Sequence, residues 1–217
     1  MKRLTFKHFM LGCLLTAAIT SCGNDNTTSS ADATDSTANG TGGDTSGTAS
    51  NLDDRAKSGV DSLADKINSI FSSGNPDSSF VLNAGTQNED EMKLLQAGID
   101  KGTSAELKSH AKMMLADHKK MGQEVKAYAA KKKYKTFDAS ESKAADEMKD
   151  LNSHTAGKDW DKAWSDKLVA GHEKTIRLFE KGQNNVKDST LNGMITKTLP
   201  TLHSHLTMSQ SLQSSFK

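Results

Sequence analysis

From Phe80 onward, apolar residues return every three or four positions, and nowhere do they alternate strictly with polar ones over the length of a strand. A 3.6-residue period places such residues on one face of a helix, whereas a half-buried strand needs a period of two. The stretch therefore predicts an all-α fold in which each helix buries one stripe against its neighbours. The pattern predicts four long helices and one short one. The first spans about 77–101. The second follows Thr103-Ser104-Ala105-Glu106, which has capping-box spacing, and reaches about Lys132. A short helix begins near a second such box, Asp138-Ala139-Ser140-Glu141, and ends by Asn152. The next covers about 159–181 with Gly182 as its C-cap, and the last runs from near Asp188 to about Ser214. Pro200 falls inside that last helix and is expected to remove one backbone hydrogen bond and bend it. Residues 80–217 are enough to enclose a core without a covalent staple.

Polar side chains interrupt the apolar stripes at matching depths. On the first helix Val81, Ala84, Leu94 or Leu95 and Gly98 share a face with Glu91. On the second, His118 sits within Leu107, Ala111, Met114, Met121, Val125 and Tyr128. On the fourth, His172 lies among Trp164, Leu168, Thr175 and Phe179, and on the last His205 lies among Leu191, Ile195, Leu202, Ser209, Leu212 and Phe216. Each long helix thus turns one metal-ligand type inward near mid-length. One carboxylate and three imidazoles suit zinc, iron or copper, so Glu91, His118, His172 and His205 are the candidate metal ligands, and the sequence does not name the ion. The plainer reading is a set of hydrogen-bonded core histidines with Glu91 paired to one of them, since a buried carboxylate needs a partner. Asp117, beside His118, either orients an imidazole or is a solvated charge, and Glu173 beside His172 reads as the latter. His110, His154 and His203 read as surface groups. Trp160 and Trp164 read as anchors of their helix, Tyr134 and Phe137 as closing one end of the core, and Lys131-Lys132-Lys133 as complementing a helix dipole.

These motifs carry a family resemblance over about residues 78–214. Glu91, Asp117-His118, Trp160-Asp161 with Trp164, His172, and Leu199-Pro200 with His205 resemble a family of exported bacterial helical proteins of unknown function, often labelled outer membrane proteins and considered ferritin-like. In that family the fourth-helix motif opens on other aromatics, and here both are Trp. The resemblance implies a ferritin-like bundle and an exported location, and implies no activity. A di-iron ferroxidase centre is a poor match, because such sites use Glu-x-x-His pairs. The residues three before His118, His172 and His205 are Leu115, Val169 and Leu202. A single ion with mostly nitrogen ligands fits better.

The N-terminal end has the grammar of export. Lys2, Arg3 and Lys7 precede a mostly apolar run from Phe9 to Ile19, too short to span a bilayer and of signal-peptide length. Ile19-Thr20-Ser21-Cys22 resembles a lipobox, which implies cleavage before Cys22 and lipid attachment to it. Gly23 rather than Asp after the cysteine favours the outer membrane, by the same resemblance. Cys13 would leave with the signal, so Cys22 would be the only cysteine and no intrachain disulfide could form. Loss of residues 1–21 takes three basic residues and no acidic ones, and the formal charge falls from +1 to −2. No basic domain remains, so nucleic acid is not an expected partner.

The expected organisation is a signal peptide over 1–21, a lipidated cysteine with a disordered tether over 22–51, an accessory amphipathic helix over 52–71, a linker over 72–79 and a helical bundle over 80–217. The chain's low hydrophobic content of 34% is concentrated in that tether, which holds four aspartates and no lysine or arginine. Leu52, Ala56, Val60, Leu63, Ile67 and Phe71 give the accessory helix its stripe. No Gly-rich phosphate loop, HExxH or nucleophile elbow is present, and no nucleophile–base pair is evident. The expectation is a lipid-anchored, non-enzymatic envelope protein whose partners are the membrane and other envelope proteins. The competing expectation is a metal-binding protein or metal-dependent oxidoreductase using the inward Glu and His residues.

Overall fold

The computed structural model describes residues 50–72, 74–137 and 144–216. The export signal, Cys22 and nearly all of the polar tether lie outside the described residues, as does the Asp138-Ala139-Ser140-Glu141 box. Among the described residues every regular element is a helix: α1 (Ser50–Ser72), α2 (Pro76–Lys101), α3 (Ala105–Lys132), α4 (Ala144–Leu151), α5 (Lys158–Asn185) and α6 (Ser189–Ser215). None of them is long and apolar enough to cross a membrane.

Local chemistry sets the ends of these helices. The Asn75 side chain accepts from the backbone N–H of Asp77 and Ser78, and Pro76 occupies the first turn, where its missing N–H costs nothing. Ser104 Oγ caps α3 through Leu107 N, and Asp188 caps α6 through Leu191 N. Lys133, in the left-handed conformation at φ 57°, closes α3.

Two sequence expectations are corrected. Most of the expected 72–79 linker is helix, because Asn75 and Pro76 start α2 there. Gly182 does not end α5, which continues to Asn185. The glycine is needed instead for packing: a Cβ on it would stand 2.7 Å from the Phe80 ring. As the sequence leads one to expect, α6 runs from Ser189 to Ser215 with Pro200 inside it.

The fold consists of two helical hairpins, α2–α3 and α5–α6, packed on each other through α2 with α5 and α3 with α6. They repeat one another at an 84-residue step that carries Asp77 to Asp161, Phe80 to Trp164, Gly98 to Gly182, Ser104 to Asp188 and Leu107 to Leu191. The equivalent residues do equivalent work across the interface. Phe80 covers Gly182, and Trp164 covers Gly98 and donates its indole N–H to Leu94 O at 2.7 Å. The Asp77 carboxylate accepts from Lys187 N at 2.6 Å and Asp188 N at 3.2 Å, gripping the α5–α6 turn. The Asp161 carboxylate grips the α2–α3 turn, accepting from Thr103 N at 3.0 Å, Thr103 Oγ1 at 2.6 Å and Ser104 N at 3.1 Å.

The interior is apolar at both ends and polar in the middle. One cluster includes Phe80, Ile176, Phe179, Leu191, Ile195 and Leu202. The other includes Leu95, Leu107, Met114, Trp164, Leu168 and Leu212. Between the two clusters the buried side chains of α3, α5 and α6 include His118, His172, Thr175, His205 and Ser209, with Leu115 and Val169 as apolar neighbours. Against the first cluster α1 lays Ile70 and Phe71, and Ile67 on the same helix is buried. Its C-terminal turns thereby join the core, touching α2 and α5.

Candidate metal centre

The polar layer holds Asn88 and Glu91 from α2, His118 from α3, His172 and Thr175 from α5, and His205 from α6, all buried. The four residues singled out in the sequence thus meet at one level. The three imidazoles form a triangle with ring centroids 5.4, 5.5 and 5.6 Å apart. One nitrogen from each ring lies within 4.8 Å of one nitrogen from each of the others. Nitrogens bound to a tetrahedral zinc at 2.0–2.1 Å stand about 3.3 Å apart, so an ion would draw the rings together by small side-chain rotations.

Each ring has one tethered nitrogen and one free one. His118 Nδ1 donates to Asn88 Oδ1 at 3.1 Å, with a Glu91 oxygen also near it at 3.9 Å. His172 Nδ1 donates to the Leu168 carbonyl at 2.9 Å, and His205 Nε2 to Asp117 Oδ2 at 3.0 Å. The partners at those nitrogens are acceptors, so the ring hydrogen sits there and the lone pair is left on the other nitrogen. Those other nitrogens, His118 Nε2, His172 Nε2 and His205 Nδ1, are buried and have no hydrogen-bond partner. This is the second-shell arrangement that fixes metal-ligating imidazoles: an outer N–H held, an inner lone pair presented.

Glu91 stands beside the trio rather than within it. Its Oε1 lies 2.7 Å from His172 Nδ1, on the ring edge that already faces Leu168 O. The ring hydrogen points at that carbonyl, so the contact is an ion pair and leaves Oε1 without a directed donor. The carboxylate fits because its neighbour is a glycine: a Cβ on Gly171 would be 3.4 Å from Oε1.

Burial and charge divide the roles of the rings. Burial pushes His118 down to about 4, the Glu91 carboxylate only partly opposing it, so this imidazole is neutral at ordinary pH. Burial also lowers His205, in spite of Asp117. For His172, burial acts downward but the adjacent Glu91 carboxylate outweighs it and holds the ring above its usual value. Burial acts to raise Glu91, and the histidines around it reverse the shift and hold its carboxyl below its usual range. The Glu91 carboxylate thus favours a second proton on His172, which an ion bound at His172 Nε2 would have to displace, while His118 and His205 present lone pairs without that step. With that proton released, a divalent ion would find three nitrogen donors and two nearby carboxylates to balance its charge.

Asn88 escaped the sequence reading. Its signal was an amide on the same face as Glu91, one turn earlier, opposite Gly122, where a Cβ would come within 2.8 Å of Asn88 Nδ2. Asp117 orients an imidazole, but that of His205 on another helix. The remaining histidines stay outside the site: His154 lies 3.5 Å from Asp159, His203 lies 3.7 Å from Glu180, and His110 is partly buried near one end of α3. Glu173 is not part of the layer.

The family model described as Domain of unknown function (DUF4142) matches residues 70–212. The match begins in the last turn of α1 and takes in the whole polar layer. No curated protein and no solved structure matches the chain.

Proposed function

This chain belongs to the DUF4142 family, and we propose that it is a lipid-anchored, non-enzymatic envelope protein whose ferritin-like four-helix bundle binds one transition-metal ion on His118, His172 and His205. The observation that carries the metal reading is the set of three buried, unpartnered imidazole nitrogens, each on a ring whose other nitrogen is held by an acceptor. A buried polar atom left unsatisfied costs about 1–3 kcal/mol. Three around one point are retained more readily if something fills that point. An all-nitrogen set suits zinc, copper, nickel or iron rather than calcium or magnesium. The absence of Glu-x-x-His pairs from these three positions favours one ion over a di-iron centre.

The test is elemental analysis of protein purified from its own envelope without a metal-affinity tag, followed by melting of the metal-free protein with each ion. About one ion per chain is expected. An ion at a hundred times its Kd should add about 2.7 kcal/mol of stability, and a His118→Ala, His172→Ala variant should lose that response. Protein that carries no metal and melts identically with and without every ion would refute the site. The anchor rests on the lipobox-like run ending at Cys22. Cys22→Ser should abolish labelling by radioactive fatty acid, and persistent label would refute lipidation there.

A further inference from the structure

The three histidines are each at most 1% exposed, so anything that binds them must pass a wall. A cleft of about 250 Å³ opens between α2 and α5 beside α4, lined in part by Gln87, Asp90, Glu147 and Lys167. A second, narrower space of about 20 Å³ lies against the polar layer, bordered in part by Asn88, His118 and Met121. That is room for one water-sized species. Two residues, Glu91 and Thr175, line both spaces and so form the partition between them.

Glu91 has the attributes of a moving part. It is 5% exposed, its Oε1 has no directed donor, and it reaches toward both His172 and His118. Gly171, on the cleft side, puts no side chain over the carboxylate. Thr175 donates to Gln87 Oε1 at 3.2 Å, whereas Glu91 is held by its ion pair with His172 at 2.7 Å, a contact for which an incoming cation competes directly, so Glu91 is the part of the partition that an ion can draw aside. A divalent ion cannot cross a low-dielectric wall bare, because its desolvation is too costly. A carboxylate that replaces lost water and balances charge lowers that barrier.

Resting on the metal reading above, we infer that the ion reaches the histidines through the α2–α5 cleft and is handed across the partition by Glu91. The carboxylate takes the ion on the cleft side and passes it to the free nitrogens of His118, His172 and His205. Glu91 is then a transfer ligand, which sets how fast the site fills more than how tightly it holds.

The test is cobalt(II) loading of the metal-free full mature chain, followed by visible absorption in a stopped-flow instrument. Wild type is compared with Glu91→Gln, which keeps shape and removes charge, and Gly171→Leu, which fills the space above the carboxylate. Both variants should load about tenfold more slowly or worse, a barrier increase of about 1.4 kcal/mol. In Gly171→Leu release to a chelator should slow in step, with final cobalt content and affinity close to wild type, whereas in Glu91→Gln, which also removes a charge beside the ion, loading should slow by more than affinity falls. Unchanged loading in Glu91→Gln, or a loss of affinity with loading unchanged, overturns the transfer role while leaving the site intact. If Gly171→Leu does not fold, Glu91→Gln decides alone. Wild type that binds no cobalt at equilibrium overturns both this inference and the metal reading, a result distinguishable from slow filling.

Discussion

Asp117 and His205 belong to different helices, and Asp117 Oδ2 stands 3.0 Å from His205 Nε2, while the histidine next to Asp117 in sequence turns to Asn88 instead. The Asp-His pair thus serves two rings: His118 supplies a free nitrogen, and Asp117 fixes the tautomer of a second imidazole across the core.

Replacing Asp117 with Asn should therefore weaken metal binding with little loss of structure. The amide can still accept from His205 but no longer raises the ring's basicity. Outer-shell changes of this kind cost about 10–100-fold in affinity. Isothermal titration with zinc, beside far-ultraviolet circular dichroism, reads the two effects separately. Wild-type affinity in Asp117→Asn would mean that the carboxylate does not tune His205.

The apolar period defined which face of each helix is buried, and with it the depth of Glu91, His118, His172 and His205. It could not define what each ring touches, because a partner comes from a neighbouring helix whose rotation the period leaves open. Asn88 and the Leu168 carbonyl were invisible for that reason. Gly182 was misread because a glycine near a helix end usually marks a C-cap, and only the Phe80 ring lying on it reveals a packing role. The 84-residue repeat was hidden because its equivalent positions share geometry more than identity. Glu91 answers to Thr175, and His118 to Leu202.

The repeat makes a prediction of its own. Asp77 and Asp161 clamp turns at opposite ends of the fold, so each should stabilise independently. Asp161→Ala strands three donors, two of them backbone N–H groups that water can partly reach. A loss of about 2–4 kcal/mol is expected, or roughly 5–10 °C in Tm for a chain of this size. Asp77→Ala, which strands two donors, should cost less. The double variant should show the sum within about 0.5 kcal/mol, since sites this far apart do not couple. Marked non-additivity in thermal melts would mean that the two clamps share one structural element.

Acid should weaken the α5–α6 junction. Lys132 and the Leu191 N–H hold the Asp188 carboxyl down at about 2, below the ordinary carboxylate range. Because the folded value is the lower one, the unfolded chain takes up the proton first. The stabilisation is present above about pH 4 and disappears as pH falls toward 2. Asp188→Asn keeps a capping oxygen and removes the charge. The difference in stability between wild type and this variant should be largest near neutral pH, shrink in high salt and vanish near pH 2. A difference that stays constant down to pH 2 would mean that the Lys132 pair contributes nothing.

Gly122 separates stability from binding. In a helix interior, Gly→Ala normally stabilises by up to about 1 kcal/mol. Here the new methyl would stand 2.8 Å from Asn88 Nδ2, closer than such atoms approach, so the Asn88 side chain must give way. Its Oδ1 is the acceptor that holds His118 Nδ1–H. Displacing it costs one buried hydrogen bond, about 1 kcal/mol, and the two stability effects should nearly cancel. Binding has no such compensation. Once released, His118 can place its hydrogen on either nitrogen and rotate, so its lone pair is no longer presented. Gly122→Ala should melt within a few degrees of wild type, yet bind zinc or cobalt about tenfold more weakly. Asn88→Ala should lower affinity similarly and also destabilise the fold, because it strands the ring nitrogen without adding helix propensity. If Gly122→Ala gains the full helical stabilisation and binds metal as tightly as wild type, Asn88 does not orient His118, and the site depends on the other two tethers alone.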